Sequence, residues 1–458
     1  MREYAFWAVI LLAIPFIMKK PLWGIVLYTA VNIIRPEMLF WEGSQGGEVF
    51  MVVIAVTMLS TIINMSAKQK LSVASIVGLP VLFAGEVMRN QHLRLILWLY
   101  VGLIVSIELA SYTPSRAYYY SYEILKLLIF CLLITLNIKN GENIKAYENY
   151  LMLPIVLLGA WGIEQYFRGN YRLEGLGGHA FPDSNGVAAI FVLFAPVAYN
   201  MLMNSENKRG RLAGFAASFV VVVLIVCTLS RGGLLGLLVA SMVFTLYSRY
   251  KIKLIVMATI LILLITPFLT EVYIDRINTM KDIETIDYSA KSRLVLWQAG
   301  LMIFRDNPFF GSGFMTYPAV KFQYMDAFDF LDPGLRDHVF KIEGSRVTHN
   351  TYIQLLAEGG LFLAIPFFWL IIETFIKNRG IRRKYGKGGK YNDLINLMIA
   401  IEAGIAGYCV CILFINAITG IFLFIQISIC ALIRHVIVKE SKEGPPELKG
   451  ANGVEVPV

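Results

Sequence analysis

Residues 213–229 read AGFAASFVVVVLIVCTL, without one charged group, and runs of this kind recur along the whole chain. A bilayer's hydrocarbon core takes roughly 20 apolar residues per helical crossing. Lipid cannot satisfy a bare backbone, so such runs must be helical. They fall at 4–18, 21–35, 49–64, 94–111, 121–138, 149–166, 186–203, 213–229, 232–249, 252–269, 352–376 and 394–437. The last is long enough for two helices, the first two suit a tight hairpin, and residues 71–88 are ambiguous. The reading is an all-α polytopic membrane protein with about 12 transmembrane helices.

Composition agrees. The 458 residues are 57% hydrophobic and 16% charged, with a mean hydropathy of +0.63; soluble domains carry about 25% charged residues. The net charge of +9 does not point to nucleic acid, because the bases sit in short clusters between apolar runs, as the positive-inside rule produces. The first stretch, MREYAFWAVILLAIPFIMKKP, looks superficially like a signal peptide. It lacks a small-residue cleavage site and another apolar run follows, so it is expected to remain as a helix. Cys131, Cys227, Cys409, Cys411 and Cys430 all fall in apolar runs, which predicts neither disulfides nor a thiolate metal site.

Loop charge sets the orientation. KNRGIRRKYGKGGK (377–390) carries Lys377, Arg379, Arg382, Arg383, Lys384, Lys387 and Lys390 and is placed in the cytoplasm. Counting back alternates inside and outside consistently as far as Lys139 and Lys145. It puts Lys208, Arg209 and Arg211 inside, and 167–185, the turn at Ser230-Arg231-Gly232-Gly233 and 270–351 outside. The 270–351 loop is too long for a connector. Within it SRLVLWQAGLMIF (292–304) reads as a helix capped by Ser292, stopped at Asn307-Pro308 and followed by a turn at Gly311 and Gly313. The tail from about Glu440 is polar and is expected to be disordered.

Arg168, Arg172, Arg231, Arg293, Arg346 and His349 then share the outer side, where positive charge is normally depleted. Arginine at the membrane boundary needs an anion, and its fork fits phosphate in a way lysine cannot match. A lipid-linked diphosphate is one such anion; Asp275, Asp282, Glu284, Asp287 and lipid headgroups are the alternative partners. Arg231 has no acid near it in sequence, and Gly232-Gly233 would let a ligand approach the backbone. Thr351 and Gln354 have capping-box spacing, which starts a helix near Tyr352 with His349 just ahead of it. Positive surroundings favour neutral imidazole there, able to take a proton from a hydroxyl or to hold phosphate. His338 competes for that role. Glu358, inside the helix, could orient a partner or be neutralised beside Gly359-Gly360. The chain has no Walker loop, no dinucleotide glycine motif, no G-x-S-x-G and no H-E-x-x-H, and its weak Asp282-Ile283-Glu284 match does not demand a metal.

Three segments, SRGGLLGLL (230–238), SRLVLWQAGLMIFRDNPFFGSGF (292–314) and THNTYIQLLAEGGLF (348–362), resemble in order the signatures of the O-antigen ligase/polymerase superfamily. NIIRPEMLFW (32–41) and RLEGLGGHAFPDSNGVAA (172–189) resemble the subgroup of O-glycosylation ligases found with exosortase systems. The resemblance implies a GT-C-like glycosyltransferase of the bacterial inner membrane, active at its periplasmic face with its C-terminus in the cytoplasm. It implies transfer of a glycan from undecaprenyl diphosphate to a hydroxyl of lipid A-core oligosaccharide, with inversion and without cofactor or metal. Polymerisation of the glycan and transfer to protein hydroxyls are alternatives, and a transporter or flippase is a more distant one. By the same resemblance Arg231 and Arg293 grip the diphosphate and His349 activates or positions the acceptor. Asn185, in PDSNG, falls at the family's Asn-rich turn, and Arg172, Arg346 and His338 are further contacts to diphosphate or acceptor. The implied organisation is N-terminal helices (1–180), a ligase core (181–376), C-terminal helices (377–438) and a tail (439–458).

Overall fold

The apolar runs fold as helices, with no strand among the described residues. A computed structural model describes residues 2–34, 47–69, 79–110, 115–171, 173, 176, 183–248, 283–340, 346–387, 389–418 and 420–443. The helices are α1 (Arg2–Lys19), α2 (Pro21–Ile34), α3 (Gly47–Gln69), α4 (Leu79–Arg89), α5 (Gln91–Glu108), α6 (Ser115–Asn137), α7 (Gly141–Phe167), α8 (Ser184–Asn204), α9 (Lys208–Cys227) and α10 (Arg231–Tyr247). After 248 follow α11 (Ile283–Asp306), α12 (Tyr317–Val320), a 3₁₀ helix (Lys321–Phe328), α13 (Pro333–Phe340), α14 (Thr351–Tyr385), α15 (Asn392–Cys411) and α16 (Ile421–Glu443).

Eight of these are long and apolar enough to cross a membrane, and four shorter apolar helices accompany them among the described residues. The α1–α2 hairpin turns on Lys20 alone. The long 394–437 run divides into α15 and α16, as its length predicts. The described part of the ambiguous 71–88 stretch lies in the 11-residue α4, itself too short to cross, and 71–78 lie outside the described residues. The expected span at 252–269 lies outside the described residues. All five cysteines are free, and four are buried. α8 is packed almost all round, and small residues let its neighbours approach. A Cβ on Gly233 of α10 would meet Ala188 at 2.5 Å, and one on Gly407 of α15 would meet the Gly236 carbonyl at 2.5 Å.

α14 is broken. Gly360 has φ +59°, and the helix resumes beyond it. Residues 308–313 fill the gap and take up its backbone groups. Leu361 N–H donates to Pro308 O (2.8 Å) and Phe362 N–H to Phe309 O (3.0 Å), while Ser312 N–H donates to Ala357 O (2.9 Å) and Gly313 N–H to Glu358 O (3.1 Å). Glu358 is buried: Tyr317 N–H donates to its Oε1 (3.1 Å) and Gln354 Nε2 to its Oε2 (2.9 Å). It therefore ties the loop to the helix. Gly311, at φ +70°, lies so close to the Glu358 carbonyl that a Cβ would collide with backbone. Gly311→Ala is expected to destabilise the protein by about 3 kcal/mol or more, read as a lower melting temperature in detergent.

The loop builds its own small core from Leu296, Ala299, Ile303, Tyr317, Phe328 and Val339. Lys321, fully buried, donates to Val339 O (3.0 Å) and Arg346 O (2.9 Å). Burial first, then the charge of Arg346, lowers its pKa to about 8. α11 runs well ahead of Ser292, so that residue is not a cap but a buried interior position.

Candidate active site

Three helices begin at one end of the bundle, and each has its own side-chain cap. Asp183 accepts from Gly186 N (2.9 Å) before α8. Ser230 accepts from Gly233 N (3.0 Å) before α10. Asn350 accepts from Tyr352 N (2.9 Å) and Ile353 N (3.1 Å) before α14. The first two turns interlock, because Ser230 Oγ also donates to Asn185 Oδ1 at 2.7 Å. Asn185 thus fastens the turn that projects Arg231. The chain enters that turn through Leu229 at φ +52°, an unfavourable conformation for a branched side chain. Arg231, the first residue of α10, is exposed.

His349 also has a left-handed backbone, φ +46°. Such a conformation costs of order 1–3 kcal/mol and survives only where the surroundings impose it. Here they do. Asn350 N–H donates to Thr348 Oγ1 (3.3 Å) and Asn416 Oδ1 (3.1 Å), and Thr348 Oγ1 donates to Asn416 Oδ1 (3.2 Å). Trp297 Nε1 donates to Thr348 O (3.0 Å), Thr351 N–H to Ile412 O (2.9 Å) and Thr351 Oγ1 to Ile415 O (2.7 Å). The 412–417 turn and α11 therefore hold His349 in place. Asn416→Ala should lower turnover about tenfold at a stability cost near 1 kcal/mol, because it loosens the imidazole without touching substrate; steady-state kinetics and melting compare the two.

Electrostatics join these turns. His349 is half-buried, and its pKa lies below the usual 6.5. Burial is the main cause, followed by Arg293; Arg346 pushes the same way and Asp183 opposes them. Arg293, also half-buried, is lowered by burial and then by Arg231, and again Asp183 opposes. Arg231, Arg293, Arg346, Asp183 and His349 thus lie within electrostatic reach of one another in a chain. Among the described residues three guanidiniums accompany one carboxylate, which leaves positive charge there. It can hold an anion while keeping an imidazole neutral.

His338 sits beside the cluster, its Nδ1 3.3 Å from an Arg346 guanidinium nitrogen. Arg168 instead pairs with Glu164 on its own helix. Arg172 lies outside the described residues, as do Asp275 and Asp282. Two sequence expectations are corrected. The Thr351/Gln354 capping box does not form: Thr351 Oγ1 is engaged by the 415–417 backbone and Gln354 by Glu358, and Asn350 caps α14. Gly232 and Gly233 do not open the backbone to a ligand. A Cβ on Gly232 would meet Phe414 at 2.8 Å, so both serve helix packing. Asp183 and Asn416 were not foreseen. Asp183 reads only as a cap residue in sequence, and nothing local marks Asn416.

Residues 216–368 match the family model described as O-antigen ligase. No curated protein matches the chain. The matched segment holds Arg231, Arg293, His338, Arg346 and His349, while Asp183, Asn185 and Asn416 come to the cluster from outside it. Over that segment, a third of its length, the chain is similar to the O-antigen ligase family.

Proposed function

We propose that this protein transfers a glycan from undecaprenyl diphosphate to a hydroxyl of lipid A-core oligosaccharide at the periplasmic face of the inner membrane. The observation that carries the reading is the chain of Arg231 near Arg293 and Arg293 near a half-buried His349, within the family-matched segment. The orientation rests on loop charge. The turns rich in lysine and arginine, at 208–211 and 377–390, lie at the opposite end of the helices from His349.

The acceptor oxygen attacks the anomeric carbon from the face opposite the diphosphate. The new C–O bond forms as the bond to the leaving phosphate oxygen breaks, inverting the centre. The hydroxyl proton passes to neutral His349, and Arg231 and Arg293 balance the charge that collects on the diphosphate. The protein's own groups supply this chemistry, so the rate is expected to be unchanged by EDTA. Arg346 extends the positive surface, and Asp183, within electrostatic reach of Arg293 and His349, offsets part of that charge. His338, Asn185 and Arg172 complete the proposed binding surface.

Donor binding tests the reading apart from turnover. Undecaprenyl diphosphate should bind Arg231→Ala and Arg293→Ala at least tenfold more weakly than wild type, and His349→Ala with nearly wild-type affinity. Equal binding by all four proteins would remove the arginines from the donor site.

A further inference from the structure

The end of the bundle opposite His349 contains a cavity of about 910 Å³. It lies between the α4–α5 turn and the last turns of α14 and α16. Arg89, Arg94, Lys377, Lys384, Arg434 and Lys442 line it, against a single carboxylate, Glu373. Arg89 is paired with Glu86 (3.2 Å), and Arg434 donates to Asn378 Oδ1 (2.6 Å). Arg94 and Lys384 are exposed and have no carboxylate partner among the described residues. Glu373 is only 5% exposed. One of its oxygens pairs with Lys377, and Oε2 has no hydrogen-bond partner among the described residues.

These features select a ligand. The excess of bases repels a cation and attracts phosphate. A buried carboxylate oxygen lacking a donor calls for an O–H or N–H, since unmet buried acceptors are costly. A phosphodiester without a hydroxyl answers the first demand and not the second. On α14, Trp369, Ile372 and Ile376 are exposed just before the cavity, and form an apolar face on which acyl chains can lie. We propose that the cavity binds a phosphate ester that also carries free hydroxyls, the chemistry of a phosphoglycerol headgroup, with phosphate on Arg94 and Lys384 and a hydroxyl on Glu373.

Native mass spectrometry of the full-length protein in detergent tests this independently of any glycan transfer. Phosphatidylglycerol should be retained over phosphatidylmethanol, which has the same charge and no hydroxyl, and over phosphatidylcholine. Arg94→Gln with Lys384→Gln should weaken retention roughly 25-fold, about fivefold per cation removed. Arg379→Gln with Arg383→Gln, exposed bases outside the cavity, should leave it unchanged. Calorimetry with glycerol 3-phosphate separates the sources: binding that depends on Arg94 and Lys384, without a preference among lipids, assigns the same chemistry to a soluble ester. Equal retention of phosphatidylglycerol and phosphatidylmethanol with no glycerol 3-phosphate binding overturns the proposal. So does equal loss in both double variants, which would mean diffuse surface charge.

Discussion

Replacing Arg293 by alanine is expected to lower glycan transfer on the order of 10²–10³-fold, the usual cost of removing one preorganised donor from a developing anion. The effect should exceed that of Arg231→Ala, because Arg293 is half-buried and Arg231 exposed. A charge in a drier setting is screened less and acts more strongly on the leaving diphosphate. Lysine should recover only part of the rate, since it cannot offer two parallel N–H donors to one phosphate. Initial rates at saturating acceptor, with donor concentration varied, check the order Arg293→Ala below Arg293→Lys below wild type.

His349→Ala is the other large effect, a fall of about 10²–10⁴-fold in turnover with donor affinity retained. The wild-type pH profile gives a second readout. Burial beside Arg293 and Arg346 holds the folded-state pKa of His349 below 6.5, so the free enzyme keeps its imidazole neutral and competent down to that depressed pKa. The acid limb of kcat/KM should therefore fall below pH 6.5, and should disappear in His349→Ala. Backbone strain offers a third. Glycine accepts φ +46° without penalty, so His349→Gly should be inactive yet melt higher than His349→Ala. A merely structural histidine would give neither the pH signature nor this inversion of stability and activity.

The spanning helices are legible in the sequence because lipid leaves an apolar run no alternative to the helix. The gathering of the basic turns at 208–211 and 377–390 at one end of the helices is legible because charge marks them. What stays hidden is non-local. Glu358-Gly359-Gly360 reads as a carboxylate awkwardly placed in a helix. Only the fold shows that residues 308–313 enter the break and take its hydrogen bonds. The Thr351/Gln354 pattern looks like a cap because spacing alone does not reveal that both side chains have partners elsewhere. Arg231, Arg293 and His349 can be picked out by their residue type and their place away from the basic turns. Asp183 and Asn416 cannot, because their roles arise only when turns distant in sequence meet at one end of the bundle. The glycines after Arg231 show the opposite error: a motif that invites a ligand reading serves the packing of α10 against α8 and the 412–417 turn.

Reconstitution distinguishes metal-independent transfer by this arginine and histidine cluster from any other activity. Purified protein, undecaprenyl-diphosphate-linked glycan and lipid A-core acceptor are combined with EDTA, and products are resolved on a gel. Wild type should join glycan to core, and Arg293→Ala and His349→Ala should give none above background. Wild-type product that vanishes with EDTA, or full product from His349→Ala, would contradict that expectation.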